Sequence, residues 1–241
     1  MEVGPSRRVE NLAEARDAIE VNAAGRVVMP GFVDAHTHLA FPPAGIDSPD
    51  RDAAARALRT VTRHRLEVRA RAYLESMARH GTTTVEVTTG CGLDAGAESK
   101  LLRMLGTLRR DPIDLIPSFL FRLPEGLNGE AMRTTEWVVS EMLPKIQRRG
   151  GARFAGLEWD CDLALLPCFD RYLEAARQLE FQRNIHAHGS RPAAALALAV
   201  QHKVTVIDHL EHATASQARL IGETGIMTAL IRSSLSLLRK V

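Results

Sequence analysis

The chain has 241 residues, of which 45% are hydrophobic and 25% charged, proportions typical of a globular protein with a sizeable core. Its 31 basic and 29 acidic side chains give a formal net charge of +2, which excludes the strongly basic surface of a nucleic-acid-binding protein. The apolar runs are shorter than the roughly 20 residues that cross a bilayer, and three cysteines without a recognisable leader favour reduced thiols in a cytoplasm.

Strands and helices alternate along most of the sequence. Residues 1–30 are mixed in character, and Glu20–Met29 predicts two short strands separated by a turn at Ala24–Arg26. From Gly31 onward, short apolar or β-branched runs alternate with longer amphipathic segments. Seven further strands are predicted at Phe32–Ala35, Thr82–Thr88, Ile113–Phe121, Phe154–Glu158, Gln182–Ala187, Val204–His209 and Ile226–Leu230. Helices are predicted around 66–77 and 101–108, and over Glu130–Gln147, Phe169–Leu179, Arg191–Gln201 and Ala215–Glu223.

This alternation indicates parallel strands joined by right-handed crossovers. Two α/β architectures have that pattern, a doubly wound open sheet and a (β/α)₈ barrel of the TIM type. A nucleotide-binding doubly wound sheet requires a glycine-rich turn after its first strand, whereas His36-Thr37-His38 and then Phe41-Pro42-Pro43 follow the first strand here. The sequence therefore favours a (β/α)₈ barrel over a nucleotide-binding doubly wound sheet. Because only seven strands are found, we expect the barrel to be incomplete at its C-terminus.

Two histidines, His36 and His38, end the first predicted strand. Because residues i and i+2 of a strand project to the same face, their imidazoles should point together. Two neutral imidazoles side by side form a chelating pair for zinc or a similar metal. The alternative is a pair of surface histidines beside a loop, but the carboxyl ends of barrel strands are where active sites lie.

Two more clusters end later strands. His186 and His188 end the fifth strand, and an imidazole from a distant strand is what a three-ligand catalytic site requires. His209 ends the sixth strand directly after Asp208, where it could bind a metal, transfer a proton or stabilise an oxyanion. The alternatives are that His186 and His188 are loop histidines and that His209 is a capped core histidine. His212 is expected to face solvent or the start of a helix. Three other histidines lie in predicted helices and are expected to be structural or exposed, namely His64, His80 and His202.

The run Pro30–His38, with the sequence PGFVDAHTH, resembles the opening motif of the amidohydrolase superfamily. Within that superfamily, Gly81–Val87 followed by Gly90–Asp94 is similar to the imidazolonepropionase family. The tripeptide Asp208-His209-Leu210 and its spacing from His186 also fit that family.

The resemblance covers roughly Glu20 to Leu230 and implies a metal-dependent hydrolase of carbon–nitrogen bonds other than peptide bonds. It implies that His36, His38 and His186 hold one divalent metal, zinc or iron, and that His209 orients water or polarises the scissile amide. The metal would lower the pKa of its bound water so that hydroxide attacks a ring amide carbonyl. The expected partner is a small-molecule amide substrate. We expect no binding to nucleic acid or to a membrane, and the sequence leaves open whether the chain forms a homodimer.

The chain departs from the imidazolonepropionase pattern at four places. Cys91 replaces the substrate-binding tyrosine of that family, and Gly189 replaces the acidic residue that follows the ligand on the fifth strand. Leu123 lies near the position, at the end of the third strand, where that family usually has a histidine. The stretch Pro42–Asp52 replaces an arginine-bearing, glycine-rich segment. These changes remove contacts to a carboxylated imidazolone. Another cyclic or linear amide, or the deaminase or dipeptidase reactions of the superfamily, therefore stay open.

The resemblance also implies an aspartate on an eighth strand that completes the metal site and acts as general base. No residue of this sequence can be carried over to that position, and Asp208, Asp160 and Glu158 are weak substitutes. Residues 1–30 would then be the remnant of a composite β-sandwich domain, and residues 31–241 a partial barrel. A truncated, non-catalytic homologue is the alternative reading.

Overall fold

The computed structural model describes residues 4–39, 51–89, 94–110, 112–123, 129–159, 162–187, 192–210 and 213–230. The seven strands are β1 Phe32–Asp34, β2 Thr82–Thr88, β3 Asp114–Phe121, β4 Phe154–Glu158, β5 Gln182–His186, β6 Val206–Asp208 and β7 Met227–Ala229. The helices are α1 Ser6–Val9, α2 Arg51–Thr60, α3 Arg63–Arg79, α4 Ala95–Thr107, α5 Ala131–Trp137, α6 Leu143–Arg148, α7 Leu166–Gln178, α8 Pro192–Gln201 and α9 Ala215–Thr224. The chain divides into two compact units, Met1–Pro30 and Gly31–Val241.

All seven strands form one parallel sheet whose order follows the sequence, from β1 to β7. A doubly wound sheet reverses its strand order at a switch point, so the sequential order excludes that alternative. In a flat sheet, β1 and β6 would lie roughly 24 Å apart, since neighbouring strands are about 4.8 Å apart. Instead, His36 Nδ1, just beyond β1, lies 3.1 Å from Asp208 Oδ2 at the end of β6. The sheet is therefore curled, and the predicted barrel architecture is confirmed.

The two faces of the curled sheet differ in polarity. The face that packs against the helices is apolar, with side chains such as Val87, Phe119, Leu157 and Ile185 in the core. Because side chains alternate along a strand, the residues between them point to the inner face. That inner set includes apolar residues such as Leu120, but most of its buried members near the carboxyl ends are polar, namely Glu86, Thr88, Ser118, Glu158, Asn184, His186 and Asp208.

One glycine on β4 makes room for this polar inner face. A Cβ atom at Gly156 would lie 2.7 Å from Asn184 Oδ1 on the neighbouring strand. Real Cβ atoms do not approach that closely, so any larger residue would push the Asn184 side chain aside. Asn184 in turn contacts His186, so Gly156 supports the carboxyl end of β5.

The predicted helix over Glu130–Gln147 forms, but it is not regular. A π-helical turn at Val138–Met142 separates α5 from α6. Pro144 is the second residue of α6. A proline inside a helix donates no backbone hydrogen bond and clashes with the preceding turn, which accounts for the wider turn just before α6. Helix α2 was not predicted. Within the described residues, no helix combines the length and apolar character that a bilayer crossing requires.

The predicted strands within Glu20–Met29 do not form. The turn is present, with Arg26 N donating to Ala23 O, but residues 20–29 contain no strand. Val21, Val27 and Val28 are 80–91% exposed. An isolated two-stranded hairpin is at best marginally stable, and the β-branched residues here have no third strand to pack against within the described residues.

Candidate metal centre

His36 lies at the centre of a group of imidazoles at the carboxyl end of the sheet. Its Nε2 is 3.1 Å from His38 Nε2, so the two rings point together as the i, i+2 spacing predicts. Two nitrogens that share a tetrahedral zinc at 2.0–2.1 Å lie about 3.3 Å apart. The first-strand pair therefore has nearly the separation that a shared ion needs.

Two further rings approach His36 from distant strands. His186 ends β5 and is fully buried, and His209 follows β6. Their ring centroids lie 4.6 Å and 4.8 Å from that of His36. One ligand atom from each of His36, His186 and His209 lies within 4.8 Å of the others. All four predicted site histidines are thus brought together, and among the described residues the group of three within this limit contains His209, while His38 Nε2 lies 3.1 Å from His36 Nε2.

Backbone hydrogen bonds beyond the strand ends hold these residues in place. Thr88 N donates to Thr37 O, Trp159 N to His186 O, and Ala187 N to Asp208 O. His209 has a left-handed backbone with φ of 61°, which is uncommon for a residue other than glycine and costs conformational energy. Its N–H donates to Ala229 O on β7 at 3.3 Å. The rings therefore project from the edge of a rigid parallel ladder.

The donors fit a borderline divalent metal ion. Imidazoles suit zinc and iron, while magnesium and calcium prefer oxygen ligands. The rings come from three separate elements, which is how catalytic zinc sites with three protein ligands are assembled. His36 is 6% exposed and His186 fully buried, so an ion bound there would be shielded from competing water. His36, His38, His186 and His209 could therefore hold one ion between them.

A buried carboxyl group, Glu86 on β2, lies under this cluster and was not predicted. It accepts hydrogen bonds from Thr88 Oγ1 at 3.1 Å and from Thr37 N at 3.4 Å. Burial raises the pKa of Glu86 to about 7, and the charge on Asp208 adds to this, while His36 opposes it. The signal in the sequence was an acidic residue between Val85 and Val87, which alternation places on the face opposite the apolar core.

Glu86 should make the stability of the metal-free chain depend on pH. Because the folded protein binds the Glu86 proton more tightly than the unfolded chain, the free energy of unfolding should fall as pH rises from 4.5 to about 7. The rise in the pKa of Glu86 from 4.5 to about 7 corresponds to a loss of about 3 kcal/mol in the free energy of unfolding. In Glu86→Gln this loss should disappear, so the variant should be more stable than the parent at pH 8 and similar at pH 4.5. Urea unfolding in the presence of a chelator measures both, and a parent whose stability does not change between these pH values would contradict the prediction.

Several predicted features lie outside the described residues. They are His188, His212, Cys91, Gly189 and Asp160. Among the described ones, His64 and His80 are exposed on or beside α3, and His202 is buried beside α8, with Nε2 2.8 Å from Asp170 Oδ1. Leu123 is buried in the core. The three helical histidines therefore lie apart from the cluster.

Comparison with known proteins gives the family and the same class of fold. The sequence profile of the Amidohydrolase family matches residues 27–240. Imidazolonepropionases from Symbiobacterium thermophilum and Myxococcus xanthus are 32% and 30% identical, over 92% and 98% of this chain and 58% and 61% of their own lengths. A 5-methylcytosine deaminase from Klebsiella pneumoniae, liganded with phosphonocytosine, superposes with a TM-score of 0.63 at 16% identity, over 88% of this chain and 58% of that one. A zinc-bound amidohydrolase from Burkholderia ambifaria superposes with a TM-score of 0.53 at 22% identity, over 89% and 69%.

A curled parallel sheet with histidines at its carboxyl end that could hold a metal ion defines a (β/α) barrel with a candidate metal site at its mouth. The profile match and the relatives of at least 30% identity make the assignment specific. The chain belongs to the amidohydrolase family. It spans a little under two thirds of the length of these curated relatives.

Proposed function

We propose that this chain carries the metal centre of a hydrolase that cleaves a carbon–nitrogen bond of a cyclic amide, with the reaction type of imidazolonepropionase. The observation that supports this most strongly is the convergence of imidazoles from β1, β5 and β6 on His36. Relatives named imidazolonepropionase, at about 30% identity over most of the chain, support the cyclic amide as the substrate class.

His36, His38 and His186 would hold one zinc or iron ion. When bound, such an ion supplies Lewis-acid activation of a water molecule for attack on a carbonyl carbon. His209 would then lie beside the bound ion, because its ring centroid is 4.8 Å from that of His36. From there a ring N–H would donate a hydrogen bond to the carbonyl oxygen as negative charge develops on it.

The inner face of the barrel suits a small polar substrate. Its buried side chains include Ser118, Glu158 and Asn184, and these offer hydroxyl, carboxyl and amide groups in a region shielded from water. A cyclic amide presents both a carbonyl acceptor and a ring N–H donor, so it can pair with groups of this kind.

Product analysis with a substrate panel tests the proposal. The purified chain, loaded with one equivalent of Zn²⁺ or Fe²⁺, would be incubated with a carboxylated imidazolone, an unsubstituted cyclic amide, dipeptides and aminopurines. We expect ring opening of the cyclic amides, lost on chelation and restored when the metal is added back. Ammonia release from aminopurines would indicate a deaminase, and a metal-loaded chain without turnover of any substrate would contradict the proposal.

A further inference from the structure

We propose that Asp208 is a positioning residue that fixes the tautomer and orientation of the His36 ring, so that Nε2 is the atom presented to the metal. The inference rests on the proposed metal site, and it adds a residue that supports a metal ligand without binding the metal itself. It starts from one contact, between His36 Nδ1 and Asp208 Oδ2 at 3.1 Å.

The proposed pairing assigns the ring proton of His36 to Nδ1. An ionised carboxylate only accepts hydrogen bonds, so His36 Nδ1 must carry a hydrogen to pair with it. A neutral imidazole has one ring hydrogen, and Nε2 is therefore left with its lone pair. The same Nε2 is the atom that faces His38 Nε2 at 3.1 Å. Asp208 thus leaves free the nitrogen that lies next to the second histidine of the pair.

Asp208 is well placed to hold the ring still. It is 1% exposed, it ends β6, and it pairs in register with His186 on β5. Ala187 N donates to the Asp208 carbonyl at 3.0 Å, so the backbone on this side is part of the ladder. His36 lies on the chain just after β1, five strands away along the sheet. The contact therefore also ties the first strand to the sixth across the barrel.

The electrostatics agree with a positioning role. Asp208 Oδ2 is 3.8 Å from His186 Nε2 as well as 3.1 Å from His36 Nδ1, so one carboxylate faces two of the proposed ligands. A carboxylate hydrogen-bonded to a ligating histidine raises the basicity of the ring and fixes its tautomer, and such partners typically contribute 10- to 100-fold to metal affinity. Asp208 contacts Nδ1 of His36, whereas the metal would bind at Nε2 on the other side of the ring. Asp208 would therefore act on the metal through His36.

The tautomer can be measured in the metal-free chain. Two-dimensional NMR of protein labelled with ¹⁵N-histidine distinguishes protonated from unprotonated ring nitrogens, and a His36→Gln sample assigns the signals. We expect His36 in the unmodified chain to be protonated at Nδ1 and unprotonated at Nε2. The opposite tautomer would overturn the proposal. Because this measurement needs neither metal nor substrate, its result is independent of whether the chain is a hydrolase.

A matched pair of variants tests the consequence for metal binding. Asp208→Asn preserves the shape but lets the amide donate to Nδ1, so Co²⁺ and Zn²⁺ affinity should fall 10- to 100-fold. The visible spectrum of bound Co²⁺ should change as well. Asp170→Asn is the control, because it removes another aspartate–histidine contact, to His202 at 2.8 Å, outside the cluster. Unchanged affinity in Asp208→Asn, or an equal fall in Asp170→Asn, would contradict a role for Asp208. If Asp208→Asn does not fold, the tautomer in the unmodified chain still decides.

Discussion

His36→Ala is expected to lose its divalent metal while keeping its fold. His36 is the ring around which His38, His186 and His209 gather, with centroid distances of 4.6–4.9 Å. Partners that only orient a ligand contribute 10- to 100-fold to affinity, so removal of a ligand itself should cost more than about 100-fold. Metal-dependent turnover should fall with it. Isothermal titration with Zn²⁺ and the far-UV circular dichroism spectrum give the two measurements.

His64→Ala is the matched control for that experiment. His64 is exposed on α3, so its loss removes an imidazole without touching the cluster and should leave zinc binding unchanged. The account would be contradicted if His36→Ala bound Zn²⁺ as tightly as the parent chain. It would also be contradicted if both variants lost affinity equally, because that would indicate binding by scattered surface histidines.

Tyr172→Ala should give the largest loss of stability among the variants considered. Tyr172, on α7, is fully buried and stacks on Phe121 with centroids 4.4 Å apart. Removing a buried aromatic side chain loses its packing contacts and leaves a cavity, which typically costs 3–5 kcal/mol. We expect a fall of about that size in the free energy of unfolding, measured by urea denaturation of the metal-free chain.

Tyr172→Phe distinguishes the contribution of the packed ring to stability from that of the hydroxyl group. The hydroxyl oxygen is buried and has no hydrogen-bond partner within the described residues, and burial raises the pKa of Tyr172 well above its usual value. Deleting a buried polar group without a partner removes a desolvation cost, so Tyr172→Phe should be as stable as the parent or more stable. A loss in Tyr172→Phe as large as that in Tyr172→Ala would show that the stability comes from the hydroxyl and not from packing.

The strands and the histidine cluster could be predicted because both are encoded locally. β2 and β4 have the bounds that their β-branched and apolar runs predicted. Three of the others differ by one residue at one end, and β6 and β7 are shorter by one or two residues at both ends. His36 and His38, two residues apart and just beyond β1, were predicted to point together, and their Nε2 atoms lie 3.1 Å apart. Their meeting with His186 followed from topology, since the carboxyl ends of parallel strands face the same end of a barrel.

What sequence analysis missed depends on contacts between distant residues. Asp208 was weighed only as a replacement acid, because its contact with His36 spans 172 positions and appears only when the sheet curls. Glu86 was passed over because its effect comes from burial beneath the cluster. The strands predicted within Glu20–Met29 do not form, because a β-branched segment becomes a strand only where neighbouring strands are present to pair with it.

The most direct test of the account is anomalous X-ray diffraction at the zinc edge, from crystals of the full chain grown with one equivalent of Zn²⁺. The account predicts a single strong peak about 2.1 Å from ring nitrogens of His36, His38 and His186, with His209 beside it. A peak that lies elsewhere, or separate ions on His36 and His186, would contradict the claim that these strands present their imidazoles to one shared cation.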